Sequence, residues 1–342
     1  MTDYTNPEYE LRWPKDLFVQ EASRATSFDA ATILIQDAFV TGEELTAGAG
    51  SSVGLVQDLV AHIDDLPERS SKVPYWSRRS AGHESDALSF SDVVASFVEL
   101  IEDLDRRGYF ERVFGADCVD TPRPGVDPGL ELKRRLGRDD LWPFRTNARS
   151  WDSDTLFDLI EVFHDLAARP TEGRYHSFAG CGWDYSRYSS SAGQALYRWE
   201  VNQLLERGDI GYRLADAGED AGRLVVVTGD AREDLVDKML TRAGPSQGRV
   251  EHAIALFRSR DATRDDKRSA VRSLADVLEE RRDLLRAEFL KKDEAALFQI
   301  ANEFDVRHHR ADQHSDYDDA YLDWLFWWYL ATVELLDRML TS

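Results

Sequence analysis

The chain has 342 residues, enough for two domains of ordinary size, and a formal net charge of −22, with 64 acidic against 42 basic side chains. A surface this acidic repels polyanions, which argues against a broad nucleic-acid-coating role or binding to anionic membranes. The two cysteines, Cys118 and Cys181, provide neither a disulfide framework nor a four-cysteine zinc site, and residues 1–16 lack the features of a signal peptide. We therefore expect a cytoplasmic protein.

The first 242 residues are predicted to be mainly helical. Residues 1–27 look extended or loosely held. Apolar residues then recur at three- and four-residue intervals, typical of amphipathic helices, in 28–40, 54–66, 90–107, 153–168 and 195–207. Proline and glycine predict a long loop at 117–143 with at most a short helix around 130–135, and the Ser-, Tyr- and Gly-rich stretch 175–191 is predicted to be irregular. Two apolar runs in 211–227 predict a β-hairpin, the one convincing strand pair.

Residues 243–248 are the best linker by composition, and 249–342 beyond them reads as a compact helical bundle. Helices are predicted at 249–258 and 270–289, followed by a third that Asp293 caps and that carries Leu297, Ile300 and Phe304 on one face. Asp318 is the predicted cap of a last, aromatic-rich helix that runs to about Leu340. The fold class is thus mainly α: a four-helix bundle preceded by a mostly helical region with a small hairpin. Residues 249–314 carry equal numbers of acidic and basic side chains, so this part is the least repulsive to a polyanion.

The most reactive cluster in the sequence is 307–314, Arg-His-His-Arg-Ala-Asp-Gln-His, which holds three of the eight histidines. Arginine offers a fixed positive fork for phosphate, and histidine exchanges a proton near neutral pH, so together they suit metal-independent cleavage of a phosphate ester. An unbroken helix would place Arg307 and His314 on one face but roughly 10 Å apart along its axis. Both then reach one phosphate only if the helix frays near His308 or a second protomer contributes.

These features resemble the HEPN superfamily of helical-bundle ribonucleases: four helices, an arginine at the end of the third followed by a polar residue, and a histidine within seven positions. Arg307, His308 and His314 match its motif with six intervening residues, and the resemblance covers about 249–342. It implies metal-independent RNA cleavage, without a cofactor, at the interface of a homodimer. Arg307 would bind the phosphate, His314 would transfer the proton of the ribose 2'-hydroxyl or of the leaving oxygen, and His308 would orient either group.

The neighbours of these residues are expected to support the site: His309, Arg310, Asp312 and Tyr317. Tyr317 lies three residues after His314, whereas some family members carry a tyrosine two residues after the histidine. The resemblance also implies a toxin or phage-defence effector, with an antitoxin or other regulator as a partner. The role of residues 1–248 is open, and sensing or restraint of the bundle is our expectation.

Two other interpretations stay open. His308, Asp312 and His314 can form a metal site, because the first two are one helical turn apart. The bundle can instead be a non-catalytic module that dimerises or binds a ligand or RNA. The aromatic stripe of the last helix is read as core and dimer contact rather than as a base-stacking platform: Tyr321, Trp324, Leu325, Trp327, Trp328 and Tyr329. A second cluster, His176, Cys181, Asp184 and Tyr185, is read as an irregular loop. No glycine-rich phosphate loop or nucleophile elbow is present.

Overall fold

The structure, a computed structural model, describes residues 2–68, 87–116, 123–177, 181–227, 230–242, 246–288, 297–299 and 318–341. The chain is mainly helical with small antiparallel strand pairs, which confirms the predicted fold class. It divides into two compact units, residues 1–210 and 211–342. The division lies earlier in the chain than the predicted linker at 243–248, because the helix before that linker packs Val236 and Met239 into the C-terminal core.

The described residues of the N-terminal unit form ten α-helices and two strand pairs. Its α-helices are α1 (Lys15–Ala22), α2 (Phe28–Ala38), α3 (Gly42–Gly48), α4 (Ser52–Ala61), α5 (Phe90–Arg106), α6 (Glu111–Phe114), α7 (Pro128–Leu136), α8 (Phe144–Asn147), α9 (Ser153–Leu166) and α10 (Ser190–Arg207). Short 3-10 helices lie at Pro7–Tyr9, Ile63–Asp65 and Ala148–Ser150. The antiparallel strand pairs are β1 (Gly115–Ala116) with β2 (Arg123–Pro124), and β3 (Arg169–His176) with β4 (Gly182–Ser189).

Helix α5 illustrates why the predicted helices form. The Ser89 side chain accepts a hydrogen bond from the backbone N–H of Asp92 at 3.2 Å, which satisfies one of the free donors of the first turn. The apolar residues that recur at three- and four-residue intervals all face the core: Val93, Val94, Phe97, Val98, Ile101 and Leu104. Asp152 caps α9 in the same way, through the backbone N–H of Thr155 at 2.9 Å. The amphipathic pattern therefore located these helices correctly.

The N-terminal segment differs from the prediction that residues 1–27 are extended or loosely held. Helix α1 lies within it, and Leu11, Trp13 and Phe18 are buried in the core. The Phe18 ring meets the edge of the Phe39 ring at a centroid distance of 5.3 Å. The prediction was wrong because these apolar residues are too widely spaced to give a helical pattern, yet each is buried by elements distant in the sequence.

The stretch predicted to be irregular, 175–191, contains all of strand β4 and the end of β3. The two strands pair from Arg169 opposite Ser189 to His176 opposite Gly182, with a bulge near Glu172. The prediction was wrong because serine and glycine masked the strand signal of the aromatic residues. The Tyr185 ring fills a space that only glycine leaves open: a Cβ added at Gly108 would lie 2.6 Å from it.

A buried network of ion pairs fixes this hairpin against the helices. Asp37 on α2 pairs with Arg107 after α5 (Oδ1 to Nη2, 2.5 Å) and with Arg169 at the start of β3 (Oδ2 to Nε, 3.1 Å). The Tyr109 hydroxyl donates to Asp37 at 2.9 Å, and Arg169 also pairs with Glu21 on α1 at 3.1 Å. Burial raises the pKa of Tyr109 well above its ordinary value, so the hydroxyl stays protonated and keeps donating. The network therefore joins four distant segments of this unit.

The C-terminal unit is a helical bundle preceded by the predicted hairpin. Strand β5 (Tyr212–Leu214) pairs with β6 (Leu224–Val226), and the helices are α11 (Asp230–Thr241), α12 (Gln247–Arg258), α13 (Arg264–Glu280), α14 (Arg282–Glu288) and α15 (Asp319–Thr341). The single helix predicted at 270–289 is two helices, which meet at Arg281. Of the predicted third helix, residues 297–299 are described and helical; Asp293, Ile300 and Phe304 lie outside the described residues.

The ends of the bundle helices follow the capping rules. Thr263 and Asp266 form a reciprocal capping box at the start of α13. Asp318 accepts a hydrogen bond from the backbone N–H of Ala320 at 2.9 Å, in agreement with its predicted capping role for α15. The core between these helices is formed by apolar side chains that include Val250, Ile254, Leu274, Leu278, Leu322, Phe326, Leu330 and Leu336. No helix among the described residues combines the length and the apolar character needed to cross a membrane.

Candidate functional site

The predicted catalytic segment lies outside the part of the chain that the structure describes. This holds for every residue assigned to the site from sequence: Arg307, His308, His309, Arg310, Asp312, His314 and Tyr317. Their roles therefore stay predictions, and so does the rival metal site. What the structure does describe is the bundle on either side of that segment.

Both flanks of the segment are packed into the bundle core. On the N-terminal side, Leu297 and Phe298 are buried, and the Tyr329 hydroxyl of α15 donates a hydrogen bond to the Leu297 carbonyl at 2.7 Å. On the C-terminal side, Leu322 in the first turn of α15 is fully buried. The described residues on both sides of the segment, 297–299 and the first turn of α15, thus belong to the bundle core.

The aromatic stripe of α15 divides into a core face and an accessible face. Leu325 and Tyr329 are buried, as the sequence predicted. Tyr321 and Trp324 are instead exposed, at 47% and 48%, and Trp327 and Trp328 are half-buried. The Trp324 and Trp328 rings stack on each other with a centroid distance of 5.2 Å. The interpretation of the stripe as core is therefore confirmed for Leu325 and Tyr329, and its interpretation as dimer contact stays a prediction for the accessible residues.

Two adjoining cavities lie beside the accessible tryptophans, and we call them together the basic–aromatic pocket. The larger has a volume of about 650 Å³ and is lined by Arg232, Ala320, Asp323, Trp324, Trp327 and Trp328. The smaller has a volume of about 270 Å³ and is lined by Val226, Arg232, Phe257, Arg258, Ser259, Arg260, Ala262, Lys267, Asp323 and Trp327. Four basic side chains and one acidic side chain line the smaller cavity, in a chain whose overall charge is strongly negative.

Arg232 and Lys267 of the pocket make cation–π contacts with aromatic rings, and Lys267 also forms an ion pair with one carboxylate. The Arg232 guanidinium lies 5.1 Å from the centroid of the Trp327 ring, in a cation–π contact, and has no ion-pair partner among the described residues. The Lys267 ammonium pairs with Asp323 at 2.9 Å and lies 5.6 Å from the centroid of the Phe257 ring. Arg232 therefore offers an exposed positive charge on an aromatic surface.

Arg258 adds a buried positive charge to the smaller cavity. Its Nη2 donates to both oxygens of Glu233 at 3.1 and 3.0 Å, and its Nε–H has no hydrogen-bond partner among the described residues. Burial lowers the pKa of Arg258, Glu233 opposes that change, and the nearby Arg213 lowers the pKa further. Arg258, the last residue of α12, thus places a guanidinium in the cavity wall whose Nε–H is still available as a hydrogen-bond donor.

This arrangement suits a flexible polyanion that carries flat rings. Arginine and lysine side chains neutralise phosphates, and exposed tryptophan faces stack on bases without regard to sequence. The signal was present in the sequence as the tryptophans of the last helix together with Arg258, Arg260 and Lys267. The pocket was missed because the sequence pattern of α15 does not show that the end of α12 and the start of α13 lie beside its tryptophans.

The second sequence cluster is partly brought together. Cys181 and Tyr185 line one cavity of the N-terminal unit, whereas Asp184 pairs with Arg123 at 3.1 Å. The reading of this region as an irregular loop was wrong, since these residues lie on or beside strand β4. In the described ranges, no group of three or more His, Cys, Asp or Glu side chains is placed to hold a metal ion.

Comparison with known proteins does not identify a family for this chain. No model of a protein family, no curated protein and no solved structure matches the chain.

Proposed function

We propose that the C-terminal unit is a HEPN-type, metal-independent endoribonuclease that acts as a homodimer. The observation that carries the proposal is the basic–aromatic pocket, which lies at the start of α15. Helix α15 is the element that follows the Arg307–His314 segment in the chain. The helical bundle around α12, α13 and α15 is compatible with that fold family. In the cell, this activity suits a cytoplasmic toxin or phage-defence effector that an antitoxin or other regulator restrains.

The proposed reaction is a transfer of the phosphodiester to the ribose 2'-oxygen. His314 accepts the proton of the 2'-hydroxyl, and the oxygen attacks the phosphorus atom, which forms a cyclic phosphate and breaks the bond to the 5'-oxygen. The leaving 5'-oxygen takes up a proton, which a second histidine, His308 or the partner's His314, supplies. Arg307 neutralises the charge that gathers on the phosphate oxygens in the transition state.

The basic–aromatic pocket supplies the binding that this reaction needs. Bases would stack on Trp324 and Trp328, while Arg232 and Lys267 hold phosphates of the same strand. Ala320, which lines the larger cavity, is six positions after His314, and an extended chain of that length spans at most about 21 Å. A strand of a few nucleotides covers that distance, so one RNA can occupy both the pocket and the cleavage site.

The exposed face of α15 supports the homodimer. Tyr321, Trp324, Trp328, Leu335 and Met339 recur at intervals of three, four or seven residues, so they share one side of the helix, and all but the half-buried Trp328 are exposed. A continuous apolar stripe of this kind is typical of a helix that packs against a second helix. Trp324 and Trp328 belong both to the stripe and to the pocket, so the RNA would reach these rings at the edge of the dimer interface.

The second candidate function is a non-catalytic module that dimerises or binds RNA. The same stripe on α15 favours it, because a dimer contact needs no reactive histidine. The two proposals differ in one outcome, which is whether RNA is cut.

The decisive experiment incubates the purified full chain with single-stranded and hairpin RNA in the presence of EDTA. We expect cleavage under chelation, and we expect Arg307→Ala and His314→Ala to abolish it while circular dichroism stays unchanged. His252→Ala is the matched control, because His252 is an exposed histidine of the same unit that pairs with Glu219. Arg249→Ala, which removes an exposed arginine paired with Glu280, is the control for Arg307.

Each result separates the interpretations. Cleavage that disappears only with EDTA would favour the metal site at His308, Asp312 and His314. RNA binding without cleavage in any buffer would favour the non-catalytic module. Wild-type cleavage by both Arg307→Ala and His314→Ala would reject the assigned residues.

The homodimer has its own test by analytical ultracentrifugation. Leu335→Glu places a charge in the middle of the stripe and should convert the dimer to a monomer. Phe90→Glu is the control, because Phe90 is an equally exposed apolar residue, at 40%, in the N-terminal unit. A wild-type chain that sediments as a monomer would remove the support that α15 gives to the proposal.

A further inference from the structure

The N-terminal unit contains a cavity of about 600 Å³ that the proposed nuclease does not use. It lies between α2, α3, the C-terminal end of α5 and the β3–β4 hairpin. Its walls include Asp37, Arg107, Glu111, Tyr175, Trp183 and Tyr185. The volume falls within the range of small-molecule sites in proteins.

One wall of the cavity is aromatic and held in place. Trp183 donates from its Nε1 to the Gln36 side-chain oxygen at 2.8 Å, which fixes the indole. The Tyr175 ring meets the indole edge to face at a centroid distance of 5.4 Å, and Tyr175 is 60% exposed. The Tyr185 ring is parallel to the indole within 10°. The hairpin thus presents accessible flat rings in a fixed orientation, which favours a planar ligand.

Two polar groups on the cavity wall have unused hydrogen-bonding capacity. Glu111 accepts hydrogen bonds from Arg123 and Tyr188 through Oε2, both at 3.1 Å, and no described residue donates to its Oε1. The Tyr185 hydroxyl makes no hydrogen bond with any described residue, although burial and the nearby Asp37 raise its pKa and keep it protonated. A ligand with N–H groups would satisfy the carboxylate oxygen, and a ring nitrogen or carbonyl would accept from the hydroxyl.

The charges of the cavity disfavour an anionic ligand. Both arginines of the lining are already paired, Arg106 with Asp103 at 3.1 Å and Arg107 with Asp37 at 2.5 Å. The carboxylates of Glu43 and Glu111 also line the cavity. No uncompensated positive charge of the lining is therefore left for a phosphate, so a neutral molecule fits better than a nucleotide.

From these observations we infer that the N-terminal unit binds a neutral nucleobase or nucleoside in this cavity. The base stacks on the Trp183 indole and contacts the Tyr175 ring, which is nearly perpendicular to that indole, at its edge. A ring N–H or amino group of the base donates to Glu111 Oε1. A purine is preferred over a pyrimidine, since it has the larger stacking surface. The inference is independent of the proposed nuclease activity, because it uses no residue of the C-terminal unit.

Isothermal titration calorimetry of the full chain tests this inference, with guanosine, adenosine, cytidine, uridine and guanosine monophosphate as the probes. We expect one purine nucleoside to bind with one site per chain, and the monophosphate to bind no more tightly than its nucleoside. Tyr175→Ala should weaken binding about tenfold or more because it removes an aromatic contact with the base. Glu111→Gln should weaken binding about tenfold or more because it replaces a charged hydrogen-bond acceptor by a neutral amide. Both substitutions act at accessible or partly accessible side chains.

The controls keep the result interpretable. Trp183→Leu should abolish binding, and Trp183→Phe, which keeps an aromatic face, should retain most of it if the hairpin stays folded by circular dichroism. Phe28→Leu changes an exposed aromatic residue of the same unit that does not line the cavity, and should leave nucleoside binding unaltered. The inference is overturned if no nucleoside binds at millimolar concentration, if Tyr175→Ala and Glu111→Gln bind like the wild type, or if the monophosphate binds tenfold more tightly.

Discussion

Replacement of Asp37 by alanine is expected to destabilise the N-terminal unit strongly. The substitution leaves two buried guanidinium groups, those of Arg107 and Arg169, without their shared carboxylate, and Arg169 is only 3% exposed. Removal of one member of a buried ion pair costs about 3–5 kcal/mol, because the remaining charge stays desolvated. Arg107 keeps its pair with Asp103 and Arg169 keeps its pair with Glu21, but neither partner replaces the carboxylate that lies between the two arginines. For a unit of this size, each kcal/mol lowers the melting temperature by about 2–4 °C, so a decrease of about 6–20 °C is expected.

Urea unfolding followed by circular dichroism and tryptophan fluorescence measures this loss. Asp103→Ala is the matched control, because Asp103 also pairs with Arg107, at 3.2 Å, but its side chain is 43% exposed. An exposed pair contributes about 0–1 kcal/mol, so this variant should unfold near the wild-type midpoint. Asp37→Asn keeps an oxygen acceptor without the charge and should fall between the two. If Asp37→Ala is no less stable than Asp103→Ala, the network does not hold the hairpin as argued.

Two further predictions concern the hairpin and the pocket. Gly108→Ala should lower the melting temperature more than Gly137→Ala: both residues have positive φ, which costs alanine about 1–2 kcal/mol, but only at position 108 would the new Cβ meet Tyr185, at 2.6 Å. Equal losses would show that the ring moves aside freely. Arg232→Ala should reduce the salt dependence of single-stranded RNA binding by about 0.7 in the log–log slope, whereas Trp324→Leu should weaken binding by about 1–3 kcal/mol with the slope unchanged. Identical slopes for both variants in filter-binding titrations would exclude phosphate contact by Arg232.

The helices were predictable from sequence because each buries one face at three- and four-residue spacing. Helix α5, capped by Ser89, and helix α15, capped by Asp318, are the clearest cases. The β3–β4 hairpin was not predictable in this way, since its stability depends on partners far along the chain. Asp37 lies 132 residues before Arg169, and Gly108 provides the space for Tyr185. No local pattern contains that information.

The candidate sites likewise differ in whether local sequence reveals them. The Arg307–His314 cluster was found because its residues are adjacent in sequence and chemically distinctive. The basic–aromatic pocket was missed because it combines Arg232 of α11 with Lys267 of α13 and the tryptophans of α15, and only the packing of those helices brings them together. The cavity beside Trp183 was missed for a related reason, as it requires the hairpin that the sequence did not reveal.

The ion-pair network around Asp37 also bears on the order of events during protein synthesis. Arg169 is the last member of the network along the chain, and it belongs to the unit formed by residues 1–210. All residues of this unit are therefore available for folding once the first 210 residues have emerged from the ribosome. At about 5–20 residues per second, the rest of the chain takes on the order of ten seconds to be made. The N-terminal unit can therefore reach its native state while Arg307 and His314 are still untranslated, so that a nascent chain has its proposed ligand-binding unit before it has the residues of its proposed cleavage site.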